Sequence, residues 1–369
     1  MRPRTRTLLI CLLTFGLLAF FLRNANMAGV WAETQRARPE LLVAAVLITG
    51  LTYVLRSLRW RFLLLAIGPA RFSTAFRATV IGFAASFLLP ARAGEVIRPY
   101  LLARKEGLSA TAAFATIILE RLLDLVAVLL LFGLFVATLD ETTGAAEPAA
   151  MASVKLGGQL AAVAALAGLA LLFVLARHPE RVGRWALRVE GVLPPRLARA
   201  VARFVESFGQ GLAVMRQPTR LLLAVAWSFP IWLSIAAGIW LTSLAFHITF
   251  PFAGSFLVTM LLVVGVAVPT PGAIGGFHAA YQIAVQTFFG APDDRAIGAA
   301  LVLHAISFVP VTILGIVFMA QEGLTFGRAR SLAEGGAAGA RDNAAFRAVH
   351  GGADDPLTPP DESLAGAAR

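Results

Sequence analysis

Ionisable side chains interrupt apolar stretches in the first half of the chain. The six residues are Arg92, Glu95, Arg98, Glu120, Arg121 and Asp124. A charge inside a membrane costs about 2.5–3.5 kcal/mol on insertion scales, so such residues are rare and pair with one another. Arginines in this setting could bind a phosphate group, while the carboxylates could exchange protons or pair again with the arginines.

The spacing of these residues favours pairing among them. Glu95 and Arg98 are three residues apart, and Glu120 and Asp124 are four apart, so each pair shares one face of a helix. We expect Arg121 to pair with Asp124, and Glu95 or Glu120 to neutralise an arginine of the other group. Three arginines facing three carboxylates fit a structural ion-pair network as well as a ligand site.

Arg92 differs from the other arginines because it lies in an irregular link just after Pro90. It is the arginine least committed to a carboxylate, and we predict that it binds phosphate. The second half of the chain carries His278 and His304 instead of fixed charges. Two histidines without ligand spacing do not predict a metal site, so polar or proton-exchanging histidines are expected.

Proline and glycine break two apolar segments at corresponding places in the two halves. Pro90 separates an apolar helix over 78–89 from a second one that runs to about residue 103. Pro269, Pro271 and Gly272 separate a helix over 252–268 from another over 276–289. Proline ends helices, and Gly94, Gly272 and Gly275 permit turns. The pattern predicts two re-entrant or broken-helix hairpins in an inverted-topology repeat, an arrangement that places substrate at the repeat interface.

Composition identifies the surroundings of these segments. Hydrophobic residues make up 58% of the 369 residues and charged residues only 14%, which excludes a soluble globular enzyme. An all-α polytopic membrane protein with about six full spans is predicted. The expected spans are 8–22, 41–55, 111–139, 156–176, 221–246 and 296–320, with Arg56, Arg59 and Arg61 flanking the second.

Arginine placement predicts the orientation and the domains. The net charge of +11 comes almost wholly from arginines between the apolar runs, so the positive-inside rule explains it better than nucleic-acid binding does. The Arg-rich segment 177–220 is expected on the cytoplasmic side, as interfacial amphipathic helices or as a solvated linker. One transmembrane domain over 1–321, a disordered cytoplasmic tail over 322–369 and two cytoplasmic termini in the inner membrane are predicted.

Several motifs resemble the lysylphosphatidylglycerol synthase transmembrane-domain family, the flippase-like domain proteins. They are Arg59-Trp60, the segment 89–95 with Arg98, the segment 118–121 with Asp124, and the segment 269–275. The resemblance implies a domain that handles an anionic phospholipid or a polyprenyl-linked or hopanoid lipid. His278 stands where the family often has Glu, and His304 where it often has Arg, which suggests a subgroup with its own lipid.

These observations predict a lipid transporter or flippase. The candidate residues for the lipid head group are Arg92, Gly94, Glu95, Arg98, Glu120, Arg121, Asp124, Pro269, Pro271, Gly272, Gly275, His278 and His304. No catalytic residue, cofactor or metal is predicted, and no enzymatic activity, because no nucleotide-binding motif or soluble catalytic domain is recognised. A membrane glycosyl- or acyltransferase component and a scaffold for envelope assembly remain the alternatives, and a homo-oligomer stays open.

Overall fold

A computed structural model describes residues 26–89, 92–138, 148–177, 207–267 and 270–323. This part of the chain is helical and contains no strand. Ten α-helices have both ends in it: α1 Met27–Arg36, α2 Pro39–Leu64, α3 Phe72–Leu88, α4 Gly94–Glu106, α5 Ala110–Ala137, α6 Pro148–Arg177, α7 Pro218–Ala245, α8 Gly254–Ala267, α9 Gly276–Phe289 and α10 Asp293–Gln321. The predicted span 8–22, most of the segment 177–220 and nearly all of the tail lie outside the described residues.

The long helices confirm a polytopic α-helical membrane protein. Four described helices, namely α2, α6, α7 and α10, are long and apolar enough to cross a membrane. Helix α5 has 28 residues, a length of about 42 Å, and carries the ionisable residues near its middle. Five of the six predicted spans are therefore long helices in the structure, and each begins somewhat earlier than predicted.

The first hairpin consists of α3 and α4, which lie on either side of the first break. Helix α3 has 17 residues and begins at Phe72, earlier than the 12-residue helix predicted from the apolar run alone. Its first turns contain Ser73, Thr74 and Arg77, which a hydropathy criterion leaves out. The two helices come into backbone contact, since a Cβ atom on Gly94 would overlap the Gly82 carbonyl.

The second hairpin consists of α8 and α9, joined through a short 3₁₀ turn at Pro271–Ala273. Helix α9 covers the residues that the sequence predicts. Glycine again permits backbone contact, because a Cβ atom on Gly265 would overlap the Gly276 carbonyl. The two hairpins thus share one construction, while their relation as an inverted repeat stays a prediction.

The hairpins pack against a scaffold of longer helices. Helix α3 packs against α10, α4 against α5, and α2 against α7, and the turn of the second hairpin packs against α3. Apolar residues fill the interfaces: Trp60 and Ile97 are fully buried beside the first hairpin, and Phe246 beside the second. This packing brings the two breaks together inside the helical bundle.

Candidate functional site

Helix α5 supplies the two carboxylates at the centre of the site. Glu120 and Asp124 are four residues apart, and both are buried within the bundle. Glu120 is the eleventh residue of α5, which places it about 15 Å along the helix axis from Ala110. Buried carboxylates require cations or hydrogen-bond donors nearby, and the neighbouring helices provide both.

Arg98 of the first hairpin binds Glu120 in a two-pronged arrangement. Its Nη1 donates to Glu120 Oε1 at 2.9 Å, and its Nη2 donates to Oε2 at 3.3 Å. The guanidinium also lies over the Trp60 ring, 3.9 Å from the ring centroid. The predicted pairing between the two groups of charges is therefore present, and it ties α4 to α5.

Helix α2 contributes two arginines that the sequence analysis placed wrongly. Arg59 Nη1 donates to Asp124 Oδ1 at 2.6 Å, and Arg56 Nη1 donates to Asp124 Oδ2 at 3.4 Å. Both were expected to flank a span ending at residue 55, but α2 continues to Leu64 and buries them. The signal was available, because the apolar residues resume after these arginines.

Arg121 and Glu95 form the accessible edge of the network. Arg121 Nη2 donates to Glu120 Oε1 at 2.9 Å, and its Nη1 lies 3.7 Å from Asp124 Oδ2, as the predicted pairing requires. Its Nε lies 4.0 Å from Glu95 Oε1. The side chains of Arg121 and Glu95 are 35% and 34% exposed, whereas those of Arg56, Arg59 and Arg98 are at most 8% exposed.

Helices α3 and α7 complete the surroundings. Ser228 Oγ accepts a hydrogen bond from Arg59 Nη1 at 2.8 Å, and Trp232 Nε1 donates to Asp124 Oδ1 at 2.9 Å. The Phe83 ring faces Arg56, whose guanidinium carbon lies 5.2 Å from the ring centroid. Aromatic faces stabilise cations, so the aromatic rings and the carboxylates both stabilise the buried guanidinium groups.

The charge balance of this group differs from the predicted one. We define the charged cluster as Arg56, Arg59, Glu95, Arg98, Glu120, Arg121 and Asp124. It contains four arginines against three carboxylates, not three against three, and so carries an excess positive charge. Arg59 Nε, Arg98 Nε and Arg121 Nε are buried atoms that find no hydrogen-bond acceptor among the described residues. An anion would supply both the missing charge and the missing acceptors.

Arg92 connects the two breaks. It has a φ of 52°, and its exposed side chain donates from Nη2 to the Val266 carbonyl at 2.6 Å. Val266 lies in the last turn of α8, where carbonyl groups lack helical partners and the helix dipole attracts a cation. Arg92 has no carboxylate partner among the described residues, and its role in phosphate binding stays a prediction.

The predicted residues of the second half gather at a separate place. His278 and His304 have ring centroids 4.6 Å apart. His304 Nε2 lies 2.7 Å from the Gly272 carbonyl, and the Gly275 N–H donates to His278 Nδ1 at 3.3 Å. Pro269 lies outside the described residues, and Pro271 begins the 3₁₀ turn. The described residues contain no group of three or more side chains that could hold a metal ion.

A bundle of long apolar helices around a buried, charged cluster defines a polytopic membrane protein with an internal polar site. The chain belongs to the family described as the lysylphosphatidylglycerol synthase TM region, whose sequence profile matches residues 7–315. This agrees with the resemblance noted from the sequence motifs, and the matched range includes the charged cluster and both hairpins.

Two curated relatives align with shorter segments. The UPF0104 membrane protein MJ1595 of Methanocaldococcus jannaschii is 27% identical over 143 residues, which are 38% of this chain and 42% of that protein. The glycosyltransferase AglD of Haloferax volcanii is 27% identical over 154 residues, which are 41% of this chain and 24% of that protein. The chain thus matches less than half of the length of either relative.

The second relative corrects one expectation. From the sequence no enzymatic activity was expected, because no nucleotide-binding motif or soluble catalytic domain was recognised. Similarity to a protein named as a glycosyltransferase contradicts that prediction. An enzymatic or glycosyltransferase-related role therefore returns as a candidate function for a chain of this family.

Proposed function

We propose that this protein binds the phosphate-bearing head group of a membrane lipid at the charged cluster and moves the lipid between the two leaflets. The observation that carries the proposal is the imbalance of four buried or half-buried arginines against three carboxylates in the cluster. On three of these arginines the Nε–H group finds no acceptor among the residues that the structure describes. An anionic phospholipid or a polyprenyl-linked or hopanoid lipid with a phosphate supplies the complementary charge.

The carboxylates give the empty site a stable arrangement. Without ligand, Glu120 and Asp124 hold the arginines of α2 and α4 in ion pairs, so few charges lack a partner. A phosphate arriving at the half-exposed edge meets Arg121 first, displaces its contact with Glu95 and uses the free Nε donors. The head group then crosses within the protein while the acyl chains stay in hydrocarbon, which avoids the cost of placing a charge in lipid.

The same proposal includes an orientation. Both termini are expected on the cytoplasmic side of the inner membrane, because arginines are concentrated in the segment 177–220. The charged cluster would then lie closer to the cytoplasmic leaflet, since α5 begins on that side. Labelling of single cysteines introduced near residues 107 and 291 in intact cells tests this, and equal access to both from outside would contradict it.

Reconstitution in vesicles tests lipid movement directly. Purified protein is placed in liposomes with fluorescent lipids of different head groups, and a membrane-impermeant quencher measures the fraction that changes leaflet. Arg121→Gln is expected to slow the movement about tenfold, since one charge-assisted hydrogen bond is worth about 1.5–3 kcal/mol. Arg104→Gln, on the exposed side of α4, serves as the matched control and should leave the rate unchanged.

Two outcomes would contradict the transport proposal. One is a rate of lipid movement no higher than that of empty liposomes for every lipid in a panel of anionic phospholipids and polyprenyl phosphates. The other is an equal loss of rate in the Arg121→Gln and Arg104→Gln variants, which would mean that general positive charge matters and the cluster does not.

A glycosyltransferase-related role is the second candidate, favoured by the match to AglD. Glu95 is the carboxylate best placed to act as a general base, because it is half exposed and lies 4.0 Å from its single described cation. Incubation with radiolabelled sugar donors and lipid acceptors tests this role. A covalent glycolipid that disappears in Glu95→Gln supports it, whereas lipid movement without product supports transport.

A further inference from the structure

Two histidines bind backbone groups of the link between α8 and α9. His304 Nε2 lies 2.7 Å from the Gly272 carbonyl, and because a carbonyl only accepts, this nitrogen carries the hydrogen and donates. The Gly275 N–H donates to His278 Nδ1 at 3.3 Å, so that nitrogen is unprotonated. The His278 ring is therefore neutral in this arrangement, and His304 carries a hydrogen on Nε2.

The link that they hold has an unusual backbone. Gly272, Ala273 and Gly275 have φ values of 62°, 55° and 89°. A positive φ is strained for alanine, and such a conformation persists only where surrounding contacts hold it. The two histidine hydrogen bonds, together with a hydrogen bond from Thr270 Oγ1 to the Ile274 carbonyl at 2.9 Å, are those contacts.

A proton would affect the two rings differently. On His304 it would add to Nδ1 and leave the Nε2–H bond to Gly272 intact. On His278 it would occupy Nδ1, remove the acceptor from the Gly275 N–H and place a positive charge at the N-terminus of α9, where the helix dipole opposes it. Since the ring centroids are 4.6 Å apart, charges on both rings would repel each other strongly, so the pair accepts one proton at most.

Few other ionisable groups in the part of the chain that the structure describes face this pair. Helix α8 contains none, and Arg77 of α3 points to Glu322 at the far end of α10. Tyr281 shares its hydroxyl with Ser243 at 2.7 Å. Residues 293–295 occupy the first turn of α10, three helical turns before His304, and Arg92 is bound to the Val266 carbonyl. The His304 ring contacts Phe277 and Phe308, and the His278 ring contacts Phe277.

We propose that the His278–His304 pair is a proton-binding site that sets the conformation of the link between α8 and α9, and that proton uptake there controls lipid movement. The second part rests on the proposed transport function. The structure provides a route to the first hairpin, because the 3₁₀ turn of the link packs on α3 and the Val266 carbonyl binds Arg92. A change in the link therefore reaches the other break.

Isosteric variants separate titration from hydrogen bonding. In His278→Asn the side-chain oxygen can replace Nδ1 as acceptor, and in His304→Gln the side-chain amide can replace Nε2–H as donor. The double variant keeps both link contacts and titrates at neither position. His247→Asn is the matched control, because His247 is exposed in the loop after α7 and has a positive φ that asparagine tolerates.

The first measurement does not depend on lipid movement. Cys11, the single native cysteine, is replaced by serine, and Ile274→Cys in the link reports the rate of maleimide labelling. Rates are corrected at each pH with an unstructured thiol peptide. We expect a several-fold increase between pH 8 and pH 5.5 in the parent and in His247→Asn, and no change in the double variant. An equal increase in the double variant would overturn the proton site.

The second measurement uses proteoliposomes with an imposed pH difference. The parent and His247→Asn should respond to the pH difference with a several-fold change in the rate of lipid movement, and the double variant should move lipid at a rate independent of it. A retained response in the double variant contradicts control by the pair. Absence of lipid movement in every protein would contradict the proposed transport function, while the labelling result would still decide the proton site.

Discussion

The two breaks of this protein share a backbone construction but differ in the chemistry that holds them. In each hairpin a pair of glycines brings two helices into contact, at Gly82 and Gly94 in the first and at Gly265 and Gly276 in the second. One turn further along, the first hairpin has Arg98, whereas the second has Ala280. Guanidinium–carboxylate pairs hold the first break, and neutral imidazole rings and backbone groups hold the second.

This difference teaches how each break responds to change. A buried ion-pair network depends on every member, because removal of one partner leaves a charge that is neither hydrated nor neutralised. A side chain that makes a neutral hydrogen bond in the link can be replaced by an isosteric side chain with little loss of stability. The first break is therefore suited to holding a charged ligand, and the second to a reversible change of conformation.

Glu120 is the residue whose loss should have the largest effect. Glu120→Ala leaves Arg98 without its two-pronged partner and weakens the surroundings of Arg59 and Arg121. We expect a loss of about 3–5 kcal/mol of stability, the range found when one partner of a buried pair is removed. Thermal unfolding of the purified protein in detergent measures this, with Glu40→Ala, in the first turn of α2, as an exposed control.

A double variant distinguishes charge pairing from shape. Replacement of both Arg98 and Glu120 by leucine removes a matched pair, so much of the stability lost in Glu120→Ala should return. Lipid movement should still be slower in the double variant than in the parent, because Arg98, one of the proposed phosphate ligands, is missing. A double variant no more stable than Glu120→Ala would mean that the pair is not the main source of the loss.

Glycine replacement should affect both hairpins alike. Gly94→Ala and Gly265→Ala each force a methyl group into the carbonyl of a facing helix, and we expect each to cost about 1–3 kcal/mol. Gly157→Ala in α6 meets no atom within 4 Å and is the control. Melting temperatures of the three variants test the shared construction, which fails if Gly265→Ala behaves like Gly157→Ala.

Arg92 should contribute less to stability than to function. Arg92→Gln removes the guanidinium at the Val266 carbonyl, but the side chain is exposed, so a loss of about 1 kcal/mol or less is expected. The rate of lipid movement should fall by more than this small loss of stability explains, because the contact between the two breaks is weakened. If Arg92→Gln and the parent have equal melting temperatures and equal rates of lipid movement, Arg92 has no part in the transport mechanism.

The smallest effect on stability is expected for the double variant His278→Asn and His304→Gln at pH 8. Both link hydrogen bonds are kept, so the change should be below about 1 kcal/mol, the range of a single neutral hydrogen bond. As the pH falls to 5.5, the parent should lose stability because a proton on His278 removes an acceptor, whereas the variant should not. If the melting temperatures of the parent and the double variant changed equally with pH, the proposed difference in chemistry between the two breaks would be contradicted.

Several features were predictable because they depend on short stretches of sequence. The two breaks were predictable because proline lacks an N–H group and glycine permits turns where the two occur together, and α9 has the predicted bounds. Proline alone does not suffice, since Pro99, Pro230 and Pro310 lie inside helices. The pairing of Arg121 with Asp124 follows from a separation of three residues on a helix. The long helices were predictable because an apolar run of about 20 residues is the length needed to cross a bilayer.

Other features were not predictable in the same way. From the sequence, Arg56 and Arg59 were interpreted as the polar flank of a span, since hydropathy assigns each arginine to the membrane surface when no partner is known. Their partner Asp124 is 68 and 65 residues away. The contact between Arg92 and Val266 joins residues 174 apart, and no local rule relates them.

The amino-acid sequence by itself determined the membrane class, the positions of the two breaks and the presence of charge beside the first one, because these follow from local hydropathy, proline chemistry and helical spacing. Only the tertiary structure decided that α2 carries its arginines into the cluster, and that the histidines of α9 and α10 meet over the link. Helix packing sets those contacts, and packing depends on the shapes of surfaces that are far apart along the chain.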